Sequence, residues 1–360
     1  MQALLAEAYV HQLNPFAVHF FDNLGIRWYG LSYLAGFAVA WGLFSWLART
    51  RRTSLATKEA SDLLFYLILG VIVGGRLGYC IFYQPTLLID PPILGVLQVW
   101  KGGMASHGGM IGVVVALVIY ARRFQHSIPH LMDIVGFAAP PGLFFGRIAN
   151  FVNAELWGKP LPADLQASPP AWSVKYPQEL LTLSIDKIES LEPIRNLTSS
   201  DRPFADLARE RHEQLNEALQ QVIELAQAGN EQVIETLRPL LTAYYPSQIF
   251  QAISDGPALF LLLVVVWLWP RKPGVIAGSF LVGYPVMRIV TEVYRQPDEG
   301  VALLPTPFGD LSRGQVLSVL MVLCGLIIIV ASARRQTPRV SGLLRKAAFP
   351  EPTHDSAAKK

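Results

Sequence analysis

Between residues 142 and 158 the chain reads GLFFGRIANFVNAELWG, an apolar run that places Arg147, Asn150, Asn153 and Glu155 within about three helical turns. Similar groups recur in other apolar settings: Tyr29 in RWYG, Arg76 in GGRLGY, His107 in SHGGMIG, and Tyr284, Arg288 and Glu292 in GYPVMRIVTE. Three arginines without an equal number of nearby carboxylates suit an anion. The planar guanidinium donates two parallel hydrogen bonds to a phosphate, a geometry lysine does not reproduce. His107 is the one side chain of the set that exchanges a proton near neutral pH. Simpler roles compete with these. Arg288 and Glu292 stand at i, i+4 and could pair on one helix, Trp28 and Tyr29 could anchor a helix at an interface, and the flanking glycines could serve helix packing. Cys80 and Cys324 both lie in apolar runs, so neither a disulfide framework nor a metal site is expected.

The elements that carry these residues belong in a membrane. Of 360 residues, 52% are hydrophobic and only 16% charged, with a mean hydropathy of +0.35, whereas soluble domains carry about a quarter charged residues. A net charge of +3 gives no footprint for nucleic acid. Residues 1–22 lack the basic start and cleavage site of a signal peptide. A helix needs roughly 20 apolar residues to cross a bilayer, and runs of that kind fall at 28–48, 62–84, 107–121, 130–152, 248–269, 274–293 and 314–333. The APPG at 139–142 predicts a kink or break in the fourth. Arginine and lysine follow the first, third, fifth and seventh runs. By the positive-inside bias this predicts an all-α integral membrane protein with about seven transmembrane helices, the N-terminus outside and the C-terminus cytoplasmic.

With that orientation Tyr29, Arg76, His107, Arg147, Asn150, Asn153, Glu155, Tyr284, Arg288 and Glu292 all fall toward the outer leaflet. A phosphate-bearing ligand there is most simply a phospholipid. The predicted organisation is helices 1–4 over 1–158, an external loop with a helical hairpin over 159–247, helices 5–7 over 248–335, and a basic, disordered tail over 336–360. In the external loop, Leu215, Leu219, Val222 and Ala226 share one helical face, and AGN at 228–230 ends it. The rival classes are an anion or lipid transporter and a phospholipid-binding protein without chemistry. A transporter would set polar groups at the midplane and repeat its topology; the sequence does neither.

The motifs HGGMIG (107–112), GRIANFVNAELWG (146–158) and GYPVMRIVTEVYRQPD (283–298), supported by RWYGLSYLAGF (27–37) and GGRLGYCIFY (74–83), resemble the prolipoprotein diacylglyceryl transferases of bacteria. The resemblance spans nearly all of residues 20–335. It implies seven helices, an active site facing the outer leaflet of the bacterial cytoplasmic (inner) membrane, and no metal or cofactor. The implied partners are phosphatidylglycerol and preprolipoprotein signal peptides with a lipobox cysteine, whose thiol takes the diacylglyceryl group as a thioether while glycerol phosphate leaves. By motif position it implies His107, Arg147 and Arg288 in catalysis, with Tyr29, Arg76, Asn150, Asn153, Glu155, Gly158, Tyr284 and Glu292 binding or supporting the headgroup. Two positions depart from the family pattern: YPSQIFQ at 245–251 puts Tyr245 where a histidine is usual and Gln251 where an acid is usual. The insertion at 183–240 is also longer than usual.

Overall fold

A computed structural model describes residues 7–21, 24–89, 93–98, 102–210, 213–296, 304–306, 309–311 and 313–345. The chain is mostly helical. The long helices are α1 (Trp28–Arg49), α2 (Thr57–Phe82), α3 (Ser106–Arg123) and α4 (Ile128–Val152). The amphipathic α5 (Glu213–Gln227) and α6 (Glu231–Leu237) follow, then α7 (Ser247–Trp267), α8 (Val275–Glu292) and α9 (Arg313–Arg334). Strands among the described residues form three two-stranded pairs: β1 (Tyr9–Val10) with β4 (Val174–Lys175), β2 (Phe16–Phe21) with β3 (Leu24–Arg27), and β5 (Leu304–Thr306) with β6 (Gly309–Leu311).

Six helices among the described residues, all the long ones except α3, are long and apolar enough to cross a membrane. The exception has 18 residues, opens on Ser-His and closes on Arg-Arg, so its apolar stretch is short. The expected break at APPG does not occur: Pro140 and Pro141 lie inside a continuous α4. Their missing N–H groups leave the carbonyls of Gly136 and Phe137 without the usual helical donor, and the rest of the ladder continues. In α7 the helix widens by one π turn at Ser254–Ala258, where Pro257 likewise withholds a donor.

The chain divides into two compact units. One comprises Met1–Leu34, Leu143–Ser254 and Met287–Gln315; the other comprises Ala35–Gly142, Asp255–Val286 and Val316–Lys360. In the first, Leu219, Val222 and Ala226 of α5 are buried with Val233, Ile234 and Leu237 of α6 and with Val10, Leu180 and Phe204. The 3.6-residue stripe of α5 is therefore the core of the insertion. Gly229 takes φ +78° between α5 and α6, and the Asn230 side chain caps α6 by accepting from the Val233 amide at 3.1 Å.

In the second unit Phe44, Leu47, Leu63, Tyr120, Leu131, Phe137, Leu263 and Trp267 form the buried core. Helices α2 and α3 touch backbone to backbone. A Cβ on Gly112 would lie within bonding distance of the Gly70 carbonyl oxygen, and one on Gly74 would meet the Gly108 oxygen. Only glycine permits that approach, which fixes α3 against α2 without polar side chains. Buried Asp133 of α4 accepts from the amides of Gly274 (2.7 Å) and Ala277 (2.8 Å). It thereby satisfies donors that α8 cannot satisfy internally. The start of the expected tail is packed rather than free: Val340 exchanges backbone hydrogen bonds with Arg271 at 2.7 and 3.2 Å, and Ser341 accepts from Trp267 Nε1 at 2.9 Å. Residues 346–360 of that tail lie outside the described residues.

Candidate active site

The polar end of α4 is built as a rigid corner. The helix ends at Val152, with a last helical bond from the Asn153 amide to the Ala149 carbonyl (2.9 Å); the Glu155 amide then reaches back to the Asn150 carbonyl (2.9 Å) while the Ala154 amide reaches Phe151 (3.0 Å). This is a Schellman closure with alanine in the left-handed position that glycine normally takes. Ala154 has φ +51° and Leu156 φ +55°, and each such residue costs roughly 1–2 kcal/mol. Side chains from elsewhere hold the strained turn. Trp157 Nε1 donates to the Ala154 carbonyl (2.7 Å), Gln248 Nε2 to that of Glu155 (2.7 Å) and Ser247 Oγ to that of Leu156 (3.3 Å). Trp157 stacks on Tyr176 with centroids 4.9 Å apart and lies 5.4 Å from the Tyr244 ring.

This corner aims several predicted residues at one another. The Glu155 carboxylate accepts from Asn153 Nδ2 at 3.4 Å. The surrounding protein desolvates it and raises its pKa, while the Asn153 bond and the positive charge of Arg27 pull the other way. Tyr29, at the start of α1, is hydrogen-bonded to Tyr33 and lies in the fields of both Glu155 and Arg147. Arg147 is half-buried and Asn150 buried. Arg27 was missed from sequence because its setting, a hairpin strand before α1, gives no sign of its neighbours.

Gly158 contributes no side chain. It pairs with Arg295 in an isolated bridge, Lys159 donates to the Tyr294 carbonyl (2.8 Å), Gln296 to that of Trp157 (3.2 Å) and Tyr245 to that of Lys159 (3.1 Å). Three chain segments meet there, and Arg295, buried at the junction, was not predicted. On α8, Arg288 Nε and Glu292 Oε2 are 4.0 Å apart, beyond hydrogen-bond length. Glu292 Oε2 has no hydrogen-bond partner among the described residues. Tyr245 lies between the rings of Trp172 (5.7 Å) and Tyr294 (5.2 Å). The Gln251 side chain is buried, its Nε2 without a partner among the described residues.

The remaining predicted residues belong to the second unit. Tyr284 stacks on Phe280 at 5.9 Å, and His107 is exposed in the first turn of α3. The Arg76 guanidinium donates to the carbonyls of Gly95, Val96, Gly102 and Gly103.

Compared with known proteins, the chain matches the family described as Prolipoprotein diacylglyceryl transferase over residues 15–331. The chain belongs to that family. Among its relatives is a protein of Bdellovibrio bacteriovorus named phosphatidylglycerol--prolipoprotein diacylglyceryl transferase, 40% identical over 93% of this chain and 97% of its own length. Proteins of the same name from Ralstonia pickettii and Cupriavidus pinatubonensis are 37% and 35% identical, each over 90% of this chain and over 95% and 93% of their own lengths. As a member of this family of transferases the chain is an enzyme of the membrane, with its polar corner set at the end of an apolar helix.

His11 supports the corner from the N-terminal strand. Its ring is fully buried, with Nε2 2.7 Å from the Phe151 carbonyl oxygen and the ring 5.3 Å from Phe151 and 5.5 Å from Tyr176. Burial lowers its pKa from 6.5 to about 4, against the hydrogen bond to Phe151. The folded protein therefore keeps His11 neutral, with Nε2–H donating, while the unfolded chain takes up a proton below pH 6.5. The stabilisation is complete above pH 6.5 and is lost as pH falls from there to about 4. By linkage it amounts to about 3 kcal/mol, because each pH unit between the folded and unfolded pKa corresponds to ~1.4 kcal/mol. We expect the thermal midpoint of the detergent-solubilised protein to fall between pH 7 and 5 more steeply than that of His11→Gln, other titrations such as that of Glu155 cancelling in the comparison. Parallel curves would show that His11 is protonated in the fold.

Proposed function

We propose that this chain transfers the diacylglyceryl group of phosphatidylglycerol to the lipobox cysteine of a preprolipoprotein, forming a thioether and releasing glycerol phosphate. The observation that carries the reading is the corner itself, in a family member: Tyr29 in the fields of both Arg147 and Glu155, beside the strained end of an apolar helix. The arginine pattern of the connections supports seven crossings with the N-terminus outside, α3 included, and an active site at the outer leaflet of the inner membrane.

The chemistry asks three things of the chain. A thiol with pKa near 8.5 must lose its proton at neutral pH, and His107 takes it. The thiolate attacks the primary glycerol carbon; the carbon–sulfur bond forms as the carbon–oxygen bond to phosphate breaks, its electron pair leaving with the phosphate. Arg147 and Arg288 stabilise the charge gathering there, with Asn150 and Tyr284 as neutral donors, Asn153 holding Glu155, and Glu155 and Glu292 orienting the cations.

The test is incubation of the purified protein with phosphatidylglycerol and a lipobox peptide. The peptide mass should rise by one diacylglyceryl unit, and no rise from a folded, lipid-loaded protein would refute the reading. In the same assay His107→Gln should lower turnover by about 10²–10⁴-fold, the range for removing a general base, and flatten the acidic limb of the pH profile. Near-normal turnover with an unchanged profile would pass the thiol's activation to the positive field.

A further inference from the structure

We infer that Arg76 is a positioning residue that holds His107 in place by clamping the loop before α3, and that it does not bind the lipid phosphate. The inference rests on the base role proposed for His107. Arg76 is 6% exposed and all three of its guanidinium nitrogens are engaged: Nε donates to the Val96 carbonyl (2.8 Å), Nη1 to those of Gly102 (2.6 Å) and Gly103 (2.9 Å), and Nη2 to that of Gly95 (2.7 Å). Its face lies 5.5 Å from the Tyr79 ring. A cation engaged by four backbone carbonyls has few donors left for an anion, and turning to one would cost the four bonds that tie it to the 95–96 and 102–103 segments.

The clamped segment leads straight into the proposed base. Gly103, at φ +82°, passes so close that a Cβ there would lie 2.8 Å from Arg76 Nη1 and 2.5 Å from the Tyr79 ring. Two residues on, the Ala105 amide donates to the Gly75 carbonyl at 2.9 Å. Past His107, Gly108 is packed on the backbone of Gly74 and Gly78. The His107 backbone is thus fixed by α2 on both sides, while its imidazole is exposed. The glycine contacts set the position of α3, and the Arg76 clamp sets the path by which the chain enters its first turn.

The experiment uses the full-length protein in phosphatidylglycerol-containing nanodiscs, with a lipobox peptide bearing either cysteine or selenocysteine. The selenol is ionised at neutral pH and has no need of a base. Arg76→Gln should slow the cysteine peptide by about 10–100-fold, since a misplacement of about 1 Å can cost ~10²-fold, with KM for phosphatidylglycerol little changed. The selenocysteine peptide should return Arg76→Gln and His107→Gln to within a few-fold of wild type, and the double variant should be no slower on cysteine than His107→Gln alone. Gly103→Ala, which displaces the loop but keeps the cation, should reproduce Arg76→Gln and covers the case in which that variant does not fold. Rescue of His107→Gln but not of the Arg76 and Gly103 variants, a raised KM for the lipid in Arg76→Gln, or additive losses in the double variant would overturn the clamp. A His107→Gln variant that selenocysteine does not rescue would instead overturn the base assignment, and the inference would fall with it.

Discussion

Gly158→Ala is expected to leave little correctly assembled enzyme, although it adds a single methyl group. The new Cβ would collide with the carbonyl oxygen of Tyr245 and lie 2.9 Å from that of Tyr294, both backbone atoms that no rotamer change can move aside. Relief requires the 157–159 segment to withdraw from both neighbours. That breaks the bonds from Lys159 to Tyr294, from Tyr245 to Lys159 and from Gln296 to Trp157. Overpacking typically costs about 1–3 kcal/mol and three hydrogen bonds at about 1 kcal/mol each add a similar amount. The sum is a large share of the roughly 5–15 kcal/mol that holds a fold together. The measurement is the yield of monodisperse protein and its thermal midpoint, followed by turnover on whatever survives. A variant with a wild-type midpoint and a large loss of turnover would show that Gly158 serves the lipid directly; one unchanged in both would disprove the close packing.

Gly158 also illustrates what a sequence conceals. Its motif marked the position as important, but the reason, three backbones converging from residues 157–159, 243–245 and 292–296, is a long-range fact that no local spacing encodes. The six apolar helices were legible because lipid imposes length and hydropathy on each independently. The stripe of α5 was legible because burial repeats every 3.6 residues. Pro140 and Pro141 misled because a helix in an apolar setting tolerates two lost donors that would end it in water. The partners of Arg76 were hidden for a different reason. Ionisable residues at membrane depth invite a functional reading, and the alternative, a partner made only of backbone carbonyls, has no sequence signature. For the same reason Ser247, Gln248 and Trp157, which bind the carbonyls of Leu156, Glu155 and Ala154, went unnoticed, as did His11.

These contacts explain why a strained turn persists where Arg147 and Glu155 are presented. Two non-glycine residues with positive φ in three positions would relax in an isolated peptide. Here three side-chain donors, the Trp157–Tyr176–Tyr244 aromatic cluster and the bond from His11 over-determine the conformation. The backbone that carries Glu155 is thus fixed by contacts within the chain, and a ligand bound beside it would not have to order that turn.

Such preorganisation makes Arg147→Lys the sharpest test of the site. Arg147 sits half-buried on α4 with Tyr29 in its field. If it only balances the charge of Glu155, lysine keeps that balance and turnover should stay within a few-fold of wild type; removing Glu155 by Glu155→Gln should then also relieve Arg147→Ala. If its fork instead receives the leaving phosphate, lysine fails, because a strongly hydrated point charge cannot supply two parallel donors to one anion in a dry site. Losing a donor aimed at a developing anion costs about 2.7–4 kcal/mol, or roughly 10²–10³ in rate. We expect Arg147→Lys to lose at least ~100-fold in single-turnover transfer from labelled phosphatidylglycerol, with its expression and thermal midpoint unchanged and no rescue from Glu155→Gln. A lysine variant of near-normal rate would reduce Arg147 to a counter-ion and move the phosphate to Arg288, since the Arg76 guanidinium is already engaged by four carbonyls.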